Sequence, residues 1–128
     1  MPFTINVAAK DKIAHIVGAG MITVQSCAET LVQVVNHPDF KPDYGIVVDF
    51  RQATNTPLMT EMRELATVVR DHKDSVQGRI GLVVKDTDAK KASVMCMLVR
   101  VFGIRMEGYA DMNKAFEYVN TGIGDFNF

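Results

Sequence analysis

The residues best placed to do chemistry lie in Asp49-Phe50-Arg51-Gln52-Ala53-Thr54-Asn55-Thr56, with Thr60 one turn further on. The stretch follows a β-branched run, Ile46-Val47-Val48, and precedes a helical pattern, so it should leave the carboxyl end of a parallel strand. Ligands of open α/β sheets bind at such ends. Asp49, Arg51, Thr54, Asn55, Thr56 and Thr60 would offer a carboxylate, a guanidinium, an amide and hydroxyls to a ligand or a protein partner. The simpler reading is loop and cap chemistry, with the same groups satisfying one another and the ends of helices.

Other candidates are weaker. Gly18-Ala19-Gly20-Met21-Ile22-Thr23 follows a strand pattern and opens a helix, which invites a dinucleotide reading. Thr23 stands where a third glycine is needed, and Asp49 lies well beyond the usual spacing of about 20 residues. A tight turn built from small residues explains the segment better, and no cofactor is expected. His15, between Ile13 and Val17, has no His, Cys, Asp or Glu neighbour at metal-ligand spacing, so no metal site is expected. Cys27 and Cys96 fall on apolar helix faces, where a thiol is usually a small core residue. No serine has a nucleophile-elbow context, so no catalytic residue is assigned.

The elements that must position these residues read as β-β-α-β-α-β-α-β-α. Phe3 to Val7 and Ile13 to Val17 form an opening hairpin. Thr23 caps a helix that ends at His37-Pro38. A strand at Ile46–Phe50 leads to a helix with Thr56 as cap and Pro57 in its first position, carrying Leu58, Met62, Leu65 and Val69 along one face. Arg79–Val84 is a strand. A third helix runs from Asp86 to Phe102, capped by Asp86 or Asp88 and stopped by Gly103. A strand over Ile104–Tyr109 and a helix capped by Asp111 close the chain. Strands separated by helices pair in parallel, so the expected fold is one α/β domain over residues 1–128, with an antiparallel edge strand at its N-terminus.

Composition narrows the partners. The chain has 128 residues, 48% of them hydrophobic, and a formal net charge of −1, which suits a globular core and removes the bulk electrostatic case for nucleic acid. Two cysteines and no leader-like start make a reducing cytoplasm the default location, and no stretch is long and apolar enough for a transmembrane segment. Residues 79–105 hold six basic side chains against two acidic ones, which could meet an acidic partner or simply be solvated. The third helix is apolar around much of its girth. Met95, Met97, Leu98, Val101 and Phe102 are expected to form an oligomer surface, most simply that of a homodimer.

Four stretches together resemble the SpoIIAA-like, or STAS/SEC14, group of small bacterial proteins. They are the hairpin running into Gly18-Ala19-Gly20-Met21-Ile22-Thr23, the helix exit His37-Pro38-Asp39-Phe40, the strand Val47-Val48-Asp49-Phe50-Arg51 leading to Thr56-Pro57 and Glu61-Met62, and the late Asp111 to Phe116 helix. The resemblance implies a STAS-type fold and a non-enzymatic regulatory module acting through protein contacts. Its SEC14 side implies, as the alternative, a small carrier or sensor for an apolar or lipid-like ligand. In anti-anti-sigma factors of this group a strand ending in Asp leads to an Asp-Ser-Ser-Gly turn whose serine is phosphorylated. Aligned on Asp49, this chain has Pro57-Leu58-Met59-Thr60 there. The serine is absent, and Thr56 and Thr60 are nearby hydroxyls at unmatched positions. A phosphate on Thr56 is expected to be favourable if that residue opens a helix.

Overall fold

The computed structural model describes residues 2–121. Five strands, β1 (Phe3–Ala8), β2 (Ile13–Gly20), β3 (Gly45–Ala53), β4 (Ile80–Val83) and β5 (Met106–Tyr109), lie side by side in chain order. β1 is antiparallel to β2 and every later pairing is parallel. The α/β architecture and its antiparallel edge therefore agree with the sequence reading. The hairpin turn lacks an Asn-Gly pair; Lys12 itself takes the left-handed φ of 57° that the reversal requires.

The helices are α1 (Val24–Val35), α2 (Met59–Asp71), α3 (Ala89–Val101) and α4 (Met112–Thr121). The chain crosses the sheet in one direction, so crossovers of one hand leave α1, α2 and α3 on the same face. There Ile16, Ile46, Ile80 and Leu82 meet Val34, Met62, Leu65, Cys96 and Val99 in the larger core. α4 follows the last strand and packs on the opposite face, where Ala115, Tyr118 and Val119 meet Val47 and Val83.

Local chemistry sets the boundaries. Thr23 caps α1 as expected: its Oγ1 accepts from the Ser26 N–H at 3.0 Å, and Ser26 Oγ accepts from the Thr23 N–H at 3.0 Å. The chain leaves α3 through Gly103, whose φ is +87°. The N–H groups of Gly103 and Ile104 donate back to the carbonyls of Arg100 and Val99. Ile104 is thus consumed in closing the helix, and β5 starts at Met106 instead of at Ile104.

The start of α2 departs most from expectation. Thr56 and Pro57 lie outside the helix, which begins at Met59. Glu61 supplies the cap, its carboxylate accepting the Leu58 N–H at 2.8 Å. Leu58 consequently drops off the apolar stripe assigned to it and stands 63% exposed. The expected strand at Ile46–Phe50 is also too short, since β3 runs on to Ala53 and carries Arg51 and Gln52 within the sheet.

Candidate functional site

β3 divides the polar segment between the two faces of the sheet. Successive strand residues point to opposite sides. Asp49 and Arg51 therefore share the α4 face with Val47, and Phe50 shares the helix face with Val48. Asp49 is 3% exposed. Its Oδ1 accepts from the Arg51 backbone N–H at 2.9 Å and from Arg51 Nε at 3.0 Å, and Oδ2 accepts from Arg51 Nη2 at 2.9 Å. Burial alone would raise the carboxyl's pKa, but the bonds and charge of Arg51 outweigh it and hold the group below its ordinary value. The pair is mutually satisfied, as a bidentate guanidinium–carboxylate clamp is.

The rest of the segment lies beyond the strand end and stitches loops together. The Thr54 N–H donates to the Gly20 carbonyl at 2.8 Å. The Asn55 amide bridges Ile22 in both directions, accepting from its N–H and donating to its carbonyl, each at 2.8 Å. Thr56 Oγ1 donates to Asp88 Oδ1 at 2.9 Å. Thr56 thus does not open α2, and a phosphate on it would meet the Asp88 carboxylate that stands at the N-cap of α3, which removes the favourable placement expected of it. Thr60 is exposed in the first turn of α2. The six candidates thus do not converge on one pocket: two face α4, two clamp loops on the helix side, and Thr54 and Thr60 are exposed on the surface.

The glycine segment is not a phosphate turn. β2 continues through it, with Ala19 and Gly20 paired to Gln52 and Ala53 after a bulge. Gly18 is small because the Phe3 ring covers it; an added Cβ would lie 2.8 Å from Phe3 Cε1. Gly20, at φ +77°, turns the chain out of the sheet. His15 packs edge-on against Phe116, with ring centroids 5.4 Å apart. Among the described residues no group of three or more His, Cys, Asp or Glu side chains comes together.

Two features escaped the sequence reading. Met21 and Leu58, 66% and 63% exposed, stand on the two loops that Asn55 ties together, and the exposed Met59 opens α2 beside them. Leu58 looked like helix core only because the helix start was misplaced. The second feature is empty space. A void of about 100 Å³ lies between α1, α2 and the sheet, lined by apolar side chains that include Ile16, Val48, Phe50 and Leu65. A smaller one of about 50 Å³ lies beneath Asn55, Thr56 and Pro57. Both are bordered by Cys27, Phe50, Leu65, Leu82 and Met95. No periodicity signals a void, because the lining residues are those of any apolar core.

Burial pushes the Cys27 thiol up to about 12. Burial, with the nearby Glu107 charge, takes Cys96 to about 12 as well. Neither is poised as a nucleophile.

α3 requires a correction. Met95, assigned to an oligomer surface, is 8% exposed and borders both voids, because it follows Ala92 and precedes Cys96 and Val99 on the inward face. Leu98 and Phe102 are half-buried, and the Arg70 guanidinium lies 5.3 Å from the Phe102 ring centroid. Only Met97 and Val101 of the five are exposed. The basic stretch is likewise dispersed. Lys85 donates to the Ala53 carbonyl, Lys91 to that of Pro57 and Arg105 to that of Gln77, while Arg100 pairs with Glu107.

The sheet order and the placement of the helices invite comparison with known structures. An uncharacterised protein of the DUF3478 family from Shewanella loihica PV-4, described as having a SpoIIAA-like fold, superposes with a TM-score of 0.62 over 91% of this chain and 93% of its own, at 10% identity. This chain has a SpoIIAA-like fold. At that identity the likeness carries architecture alone. No family profile matches the sequence, and no curated protein does. Among the described residues, no helix of this SpoIIAA-like fold is long and apolar enough to cross a membrane.

Proposed function

We propose that this SpoIIAA-like chain is a non-enzymatic interaction module, a regulatory component of the cytoplasm that works by docking a protein partner at the carboxyl end of its parallel strands. One observation carries the reading. Met21 and Leu58, on loops locked together by the Asn55 clamp, and Met59, which opens α2, are held in solvent, while Asn55 is spent on the Ile22 backbone and Thr56 on Asp88. Isolated exposed apolar residues are ordinary; several on one rigid edge suit a contact surface. Homodimerisation through Met97 and Val101 is part of the same reading.

The test is affinity capture from the source cell with three baits. The wild-type chain is expected to retain a partner that the Met21→Ser/Leu58→Ser/Met59→Ser chain loses and the Met97→Ser/Val101→Ser chain keeps. Identical capture by all three chains would remove the docking edge. Light scattering of the Met97→Ser/Val101→Ser chain reads the dimer, with a monomer expected where the wild type is a dimer.

A second reading, a small carrier or sensor for an apolar ligand, is favoured by the apolar void between α1, α2 and the sheet.

A further inference from the structure

We infer that the void between α1, α2 and the sheet is a binding site for one small, uncharged apolar molecule of about the size of benzene. The inference rests on the apolar-ligand reading and narrows it from lipids in general to a compact hydrocarbon-like ligand. Lining chemistry comes first. The one polar side chain at the larger void, Thr30, donates its hydroxyl to the Ser26 carbonyl at 2.7 Å, so it has no proton to offer a ligand. A charged or strongly hydrogen-bonding head group inside would lose its water and gain no partner. The Cys27 thiol, at the border of both voids, is neutral at physiological pH.

Size comes second. The larger void, about 100 Å³, is of the order of the apolar cavities of about 150 Å³ that stay dry and take up benzene or xenon, whereas the smaller one, about 50 Å³, ends on Asn55, Thr56 and Asp88. A long acyl chain would not fit without moving a helix.

Access comes third. β3 is the central strand, and its inward side chains should be its most buried. Val48 and Phe50 are nonetheless only half-buried, as are Leu31 on α1 and Val68 and Val69 on α2. The space above β3 is thus reachable along the seam between those two helices. A ligand seated there would restore the dispersion contacts that the lining side chains lack.

Benzene, titrated into the full chain and followed by amide and methyl nuclear magnetic resonance, tests this. Saturable shifts are expected around Cys27, Phe50, Leu65, Leu82 and Met95, together with a rise in the thermal midpoint. Cys27→Leu, which fills the border of the voids, should weaken benzene binding at least tenfold. Should that chain not fold, Leu65→Ala widens the space and should bind n-butylbenzene at least tenfold more tightly than the wild type does. Dodecanoate is the contrasting probe. If dodecanoate binds at these residues and benzene does not, the size inference fails while the apolar-ligand reading stands. If neither binds, both fall. Benzene binding undiminished by Cys27→Leu would place the site elsewhere and overturn the inference.

Discussion

The two faces of the sheet are packed in opposite ways. On the α4 face the helix comes so close that β3 and β4 carry glycine beneath it. A Cβ on Gly45 would collide with Val119 Cγ1, and one on Gly81 would lie 3.2 Å from the Ala115 carbonyl oxygen. On the other face three helices cover the same strands and leave voids of about 100 Å³ and about 50 Å³. Protein interiors are close-packed, so apolar space beneath the three helices, set against close contact where α4 crosses β3 and β4, is informative. The α4 face has the character of a scaffold, fixing the strands by close contact. The helix face has space to take up or exchange something.

The sharpest break of this contrast is a single methyl group. Gly45→Ala is expected to destabilise the chain by about 3 kcal/mol, at the upper end of ordinary overpacking, because Val119 is β-branched and lies on a helix that must shift as a unit. Urea unfolding reads it. A loss below about 0.5 kcal/mol would mean that α4 has room beneath it, and the difference between the faces would disappear.

The contrast also marks what was legible in the sequence. The element order, the antiparallel edge and the Thr23 cap were readable, because apolar periodicity and a capping hydroxyl are local signals. The start of α2 was not: Thr56-Pro57 is a good local start, but Thr56 is drawn to Asp88, which lies far along the chain, and Glu61 caps from inside the helix instead. The candidate site was half legible. Asp49, Asn55 and Thr56 are indeed engaged at the end of β3, yet on different faces and with partners in the chain itself. Met95 was misassigned because an α3 apolar around its girth does not reveal which side faces inward. The voids had no signal at all, since missing volume depends on how helices seat.

The Asp49–Arg51 clamp sharpens the comparison at the upper end of the tight face. Arg51→Ala removes two of the three hydrogen bonds to a buried carboxylate. Stability at pH 7 should fall by about 1–3 kcal/mol, the cost of leaving a buried charged group under-satisfied. The sign with pH follows from the lowered pKa of Asp49. Its contribution is present above the unfolded-state value of about 3.9 and is lost as pH falls through the lower folded value. In Arg51→Ala, where the side-chain bonds and charge of Arg51 no longer offset burial and only the backbone bond remains, the carboxyl should titrate at higher pH and acid unfolding should begin earlier. Coincident acid limbs for the two chains would show that the clamp is a surface pair of little consequence.

The smallest expected effect is the most telling, because it adds volume as Gly45→Ala does and should have the opposite sign. Cys27 borders both voids on the loose face. Its thiol, raised to about 12 by burial, is uncharged at neutral pH, so replacing it removes no ion pair and tests volume alone. Cys27→Leu puts methyl groups into empty space. The added contacts are offset in part by the rotamer freedom that a leucine loses, so the change should lie between zero and about 1 kcal/mol of stabilisation. Gly45→Ala and Cys27→Leu, measured side by side in urea, then report the two packing densities directly. A destabilisation beyond about 1 kcal/mol in Cys27→Leu would mean that the space is already filled by the motions of Phe50, Leu65 and Met95, and that both faces of the sheet are closed.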